Sequence, residues 1–253
     1  MTGRKKPELS KFAVVFVLLL AWQGASMFYS SVVLPGPFLT GKALLENLSE
    51  PVFYRTVALS TLRFASGLIL ALAVGFVLGL LSGSFGWGRR IISPLVYFIQ
   101  SVPPILYMTL AMIWFGLNGK ATVFIVFIVT MPIMAVNLQE GFANIDDKLI
   151  EMGRIFGFSR KKITREIILP SLMSYFKSGL LVMIGLGWKL LIMGEVLSAG
   201  SGIGSRITDA RMNLETEQVF AWGFVIVFLC LVLQKGFSRA FRLSRISIEE
   251  GAL

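Results

Sequence analysis

Three ionisable side chains stand inside long apolar runs, and they are where this sequence offers chemistry: Arg63, Lys189 and Glu195. A charge in a lipid-soluble segment is expensive, so it marks a partner or a water-filled path before it marks lipid contact. Arg63 lies about two turns into its run, where its stem can carry the guanidinium out to the interface. Lys189 lies deeper. Glu195 follows six residues later, too far round a helix for an i, i+4 pair, so each of the two needs another helix or a cavity. A lysine facing such a cavity suits an anion, and an ion pair between helices accounts for the same residues equally well. Gln100, just before Ser101 and Pro103-Pro104, adds a neutral polar group to the candidate path.

Other chemistries are closed. There is no histidine and one cysteine, Cys230, set in an apolar run, so zinc sites, disulfides and Cys/His nucleophiles are unavailable. Gly200-Ser-Gly-Ile-Gly204 has no Gly-x-x-x-x-Gly-Lys-[Ser/Thr] pattern, and Gly119-Lys120-Ala121 lacks the hydroxyl that would hold Mg²⁺. No catalytic, cofactor or metal site is therefore assigned. The net charge of +10 sits in short blocks between apolar runs, which argues against nucleic acid and for a positive-inside bias.

The elements that must position these groups are membrane helices. The chain is 55% hydrophobic and only 15% charged, with mean hydropathy +0.77. Apolar runs predict six spans, at about 12–29, 56–81, 93–115, 121–138, 175–199 and 219–235, each near the length a bilayer demands. The first follows Arg4, Lys5, Lys6 and Lys11 and has no Ala-x-Ala-like cleavage site, so it reads as a span rather than a signal peptide. In the second, Gly67, Ala71, Gly75, Gly79 and Gly83 form a small-residue stripe suited to close helix contact. The third contains Pro94, Pro103 and Pro104 and is expected to be broken or kinked, lining protein or a cavity. With the N-terminus inside, residues 82–92, 139–174 and 236–253 fall on the cytoplasmic side, where most Lys and Arg lie. The division is 1–11 cytoplasmic, 12–238 membrane domain and 239–253 cytoplasmic tail.

One charged island, Glu151 to Pro170, cannot cross a bilayer. Ile145, Leu149, Met152 and Phe156 give one face of a short helix an apolar stripe, with Asp146, Asp147, Lys148 and Arg154 on the others. Gly157 suits a left-handed helix end, and Ser159 suits the N-cap of a second helix over about 160–169, ended or kinked by Pro170. A basic amphipathic segment lying on the inner leaflet would look similar.

The spacing of Glu151, Gly157, Ile167 and Leu169-Pro170 resembles the EAA loop of ABC importer permeases: Glu-Ala-Ala, three residues, Gly, nine residues, Ile, one residue, Leu-Pro. Met152 and Gly153 depart from its two alanines. Trp188-Lys189 to Glu195-Val196 followed by Gly200-Ser-Gly-Ile-Gly204 is similar to permeases of the nitrate, sulfonate, taurine and pyrimidine-precursor importers. The resemblance spans about residues 12–238. It implies an all-α, polytopic, type I importer-like fold in the bacterial inner membrane, with both termini cytoplasmic. It also implies a non-hydrolytic subunit whose loop couples to an ATPase through Glu151, Gly157, Ile167, Leu169 and Pro170. The implied partners are two ATPase copies that bind ATP and Mg, an extracytoplasmic solute-binding protein, and a second permease copy, identical or related. The competing readings are an ion-coupled transporter or channel, which calls for more buried acids than Glu195, and a membrane anchor for a cytoplasmic enzyme.

Overall fold

The computed structural model describes residues 6–198 and 200–250, with side chains from 13 to 239. Arg4 and Lys5, and the side chains of Lys6, Lys11, Arg242 and Arg245, lie outside the described residues. Every regular element among the described residues is helical: α1 Lys6–Ser26, α2 Pro37–Ser49, α3 Pro51–Ser84, α4 Gly86–Ser101, α5 Pro104–Phe115, α6 Gly119–Ala143, α7 Asp147–Ile155, α8 Arg160–Ile163, a π-helical turn Thr164–Ile168, α9 Leu169–Ser198, α10 Ile203–Met212 and α11 Thr216–Glu250. With no water in a bilayer core to satisfy backbone groups, helices that close their own hydrogen bonds are the available solution.

The core is α6 held between α3 and α9. The small-residue stripe of α3 is the contact: a methyl on Gly67 would lie 2.8 Å from the Val123 carbonyl, one on Gly79 2.8 Å from the Leu138 side chain, and one on Gly75 would run into the Met131 carbonyl. Gly67 meets Val126 and Gly83 meets Phe142, so α3 and α6 run parallel. On the other side Gly179 meets Asn137, Gly187 meets Thr130 and Gly194 meets Thr122, so α9 runs antiparallel to α6. Trp188 locks α9 in place, donating from its indole nitrogen to the Ile226 carbonyl of α11 at 3.1 Å and meeting Phe64 of α3 edge-on at 5.4 Å.

Because α3 and α6 are parallel, the chain must climb the full height of the bundle between them. It does so through α4 and α5, which are bent by 90° at Val102-Pro103. Neither proline offers an N–H, so the expected break of the third span is real and sharp. Asn118 then caps α6, its side chain accepting from the Lys120 amide at 2.8 Å.

Among the described residues, four helical segments are long and apolar enough to cross, Pro51–Ser84, Gly119–Ala143, Arg160–Ser198 and Thr216–Arg239, and the bent α4–α5 pair makes a fifth. The helix α1, Lys6–Ser26, 21 residues long, stands at the first expected span, with its side chains described from Ala13. It is tethered by Trp22, which donates to the Pro35 carbonyl at 3.1 Å and stacks on Phe220 at 5.9 Å.

Candidate functional site

The polar island forms two short helices joined by a built turn. Asp146 caps α7 by accepting from the Lys148 amide at 2.9 Å, and Asp147 and Arg154 complement the helix dipole at its two ends. Gly157 closes α7 at φ +70°, with the Gly157 amide on the Arg154 carbonyl (3.0 Å) and the Phe158 amide on the Gly153 carbonyl (2.9 Å). This is the paired 5→2 and 6→1 bonding of a Schellman end. Ser159 caps α8, accepting from the Lys162 amide at 3.3 Å, and the Lys162 ammonium stands 3.9 Å over the Phe158 ring. Gly153 is buried because Ile163 and Ile167 pack on it. A methyl there would lie 3.2 Å from Ile167 Cδ1 and 3.4 Å from Ile163 Cγ1. A small residue two positions after Glu151 thus lets α8 and the π turn lie against α7.

The second helix departs from expectation. It does not run from 160 to 169 and stop at Pro170; after one turn of α8 the backbone widens into the π turn and then continues through Pro170 to Ser198. The proline ring would press on the carbonyl four residues back in a regular helix, and it has no N–H to give. Widening by one residue relieves both: the Leu169 amide reaches the Thr164 carbonyl, and the Ser171 hydroxyl takes the Ile167 carbonyl at 2.7 Å. Arg160–Ser198 is therefore one helical segment joining the island to the far end of the bundle. Ile145 precedes the α7 cap, and the apolar residues displayed around α7 are Leu149, Met152, Ile155 and Phe156, at 42–84% exposure. Glu151 is exposed among them with no hydrogen-bond or ion-pair partner among the described residues; Ile167 is half-buried, and Leu169 and Pro170 are exposed.

At the opposite end Glu195 is fully buried. Its carboxylate accepts from the Ser60 hydroxyl at 2.9 and 2.8 Å, from Arg63 Nη1 at 2.9 Å, and from the Gly204 amide at 3.0 Å. Arg63 continues outward, donating to the Ser201 carbonyl at 2.6 Å and to its hydroxyl at 2.8 Å. Ser60 in turn accepts from the Ile203 amide at 2.9 Å. The carboxylate thus ties α3, α9, the 200–202 loop and the start of α10 together, with its acceptor capacity filled. Gly202, at φ +105°, has no room for a methyl, which would run into that carboxylate.

Of the four candidate path residues, the structure brings together Arg63 and Glu195 as an ion pair. Lys189 and Gln100 are exposed elsewhere and have no partner among the described residues. Ser60 was not foreseen. Its one signal is its place three residues before Arg63, on the same face of α3. No group of His, Cys, Asp or Glu suited to a metal occurs among the described residues.

Residues 54–238 match the family of binding-protein-dependent transport system inner membrane components. The chain is 26% identical to the putative aliphatic sulfonates transport permease protein SsuC of Bacillus subtilis, over 93% of this chain and 88% of that one. It is 31% identical to the protein of the same description in Escherichia coli, over 80% and 78% of the two chains. It is 30% identical to the bicarbonate transport system permease protein CmpB of Synechococcus elongatus, over 84% and 81%. Two solved structures share the fold. A bacterial ABC transporter involved in import of the acidic polysaccharide alginate aligns with TM-score 0.63 at 14% identity, covering 94% of this chain and 93% of that one. The inward-facing MetNI methionine transporter aligns with TM-score 0.57 at 18% identity, covering 82% and 96%.

Proposed function

The chain belongs to the family of binding-protein-dependent transport system inner membrane components and is the permease subunit of an ABC importer, and on that premise we propose that it carries a small oxyanion and takes its driving force at the Glu151–Pro170 segment. The observation that carries this reading is the outward apolar face of α7 at the foot of the one helical segment from Arg160 to Ser198. Leu149, Met152, Ile155 and Phe156 form an unfilled apolar surface on an otherwise charged island, the kind of patch that marks a protein contact. An ATPase subunit that grips α7 acts directly on that segment, because α8, the π turn and α9 are continuous. ATP and Mg are bound by that subunit, and closure of two ATPase copies moves two permease copies as rigid bodies between two states.

The second copy is supported by the bend at Val102-Pro103. Helix ends at membrane depth leave backbone groups that lipid cannot satisfy, so that face of α4 and α5 needs protein or water against it. Lys189, exposed between Leu186 and Leu197 on α9 without a partner among the described residues, has the same requirement. Placed on the path between copies, it attracts an anion, in keeping with the sulfonates and bicarbonate in the relatives' names. The termini and Glu151–Pro170 then lie on the cytoplasmic side, and the binding protein docks at the end bearing α2 and α10.

The test is co-purification of the tagged chain with its ATPase in mild detergent, wild type against Gly157→Arg. An arginine at φ +70° strains the turn, although nothing lies within 4 Å of its Cβ position, so the fold persists and the docking surface is lost. ATPase capture by wild type and not by the variant is expected. Full capture and full uptake by the variant would remove the role assigned to this segment.

A further inference from the structure

At the end of the bundle remote from the coupling segment, a cavity of about 420 Å³ opens between the first turns of α3 and the loop that enters α10. Arg55 and Thr56 line it from α3, and Ser201, Ser205, Arg206 and Asp209 from the other side. Neither arginine forms an ion pair, with Asp209 or with any other carboxylate, among the described residues. Thr56 and Ser205 are more telling, being 7% and 8% exposed with no hydrogen-bond partner among the described residues. A helical threonine or serine ordinarily returns its hydroxyl to a carbonyl one turn back, as Thr61 and Thr208 do here. The Thr56 hydroxyl does not, and Ser205, in the first turn of α10, has no helical carbonyl behind it; both residues line the cavity.

We propose that this cavity is a receiving site for a small oxyanion on the permease itself. Two guanidinium forks against one carboxylate leave a net positive lining, and the fork is the side chain best matched to the paired oxygens of a sulfonate or carboxylate. The hydroxyls of Thr56 and Ser205, on otherwise buried residues, supply neutral donors at the same wall. The wall is held still: Glu195, Ser60 and Arg63 fix Ser201, Ile203 and Gly204 from behind, so the loop meets the ligand without first being ordered. The cavity lies where a solute arrives, before Lys189 and the bent span. The inference rests on the anion-importer reading and adds the place where the permease first holds its solute.

The site is tested in lipid nanodiscs on the permease bound to its ATPase, with no binding protein present. Ethanesulfonate and bicarbonate are titrated with the binding read by NMR, and choline serves as the cation control. Wild type binds the anions and not choline. Arg55→Gln and Arg206→Gln each weaken anion binding about tenfold, the scale of one charge-assisted hydrogen bond, and Thr56→Val with Ser205→Ala weakens it less. ATPase capture stays at the wild-type level in every variant, which separates failure here from failure of the importer reading. Anion binding that is absent in wild type, or unchanged in both arginine variants, overturns the site. A loss of binding-protein affinity in anion-free buffer, with anion binding intact, assigns the arginines to a docked carboxylate and overturns it too.

Discussion

Around Gly157 apolar side chains face outward, Glu151 stands without a partner among the described residues, and the glycine has open space beyond its Cα; around Glu195 the charge is buried, its acceptors are filled, and Gly202 is pressed against it. Both glycines have positive φ, +70° and +105°. The first turn presents an exposed surface, while the second is closed by contacts within the chain. Positive φ alone therefore says nothing about role. What differs is whether the turn holds the fold together or presents a surface, and mutation separates the two.

The largest effect belongs to Arg63→Met, which strands the Glu195 carboxylate with only neutral donors at 0% side-chain exposure. Breaking a buried pair by removing one partner costs roughly 3–5 kcal/mol. We expect a large fall in the midpoint of thermal unfolding in mild detergent, most of it recovered when Glu195→Met is added. A small change in the single variant would mean that water already reaches the carboxylate. Gly202→Ala comes next, at roughly 2–3 kcal/mol, because it combines a left-handed backbone with a methyl driven into that carboxylate. Gly157→Ala has the same backbone penalty without the clash and should lose only about 1 kcal/mol. Equal losses at the two glycines, measured side by side by thermal unfolding, would break the contrast between the ends.

The Gly157 end was the more legible in sequence, because its devices are local. Gly157 and Ser159 act within three residues of themselves and sit where turn and cap chemistry places them, while Asp146, expected on a face of the helix, caps it instead. The packing of α3 on α6 was legible as a stripe, though its partner helix was not. The far end was opaque because its bonds join residues more than 130 positions apart: Ser60 and Arg63 to Glu195, and Arg63 to Ser201. Ionisable residues in apolar runs announce that partners exist without naming them, and Lys189 and Glu195 looked alike although one is buried in a filled network and the other exposed. Of the two readings of Pro170, a helix end or a kink, the end fails for another reason. A π turn lets a helix pass through a proline, and nothing in the residue types of Thr164–Ile168 marks the widened backbone.

The smallest effect on the fold carries the sharpest test of the comparison. Ile155 is 84% exposed at the last turn of α7, so Ile155→Ser removes almost no buried area and should change stability by no more than about 0.5 kcal/mol. Yet if α7 is the face an ATPase grips, burying that side chain on docking contributes roughly 1.5–3 kcal/mol to association. The variant should then unfold at the wild-type temperature while capturing ATPase at least tenfold more weakly in a pull-down titration. Leu149→Ser, on the same face at 42% exposure, should weaken capture less because more of it is already covered. An Ile155→Ser variant that unfolds early but captures normally would place Ile155 in the packing of its own chain, and the contrast between a turn that presents a surface and one that holds the fold together would fail.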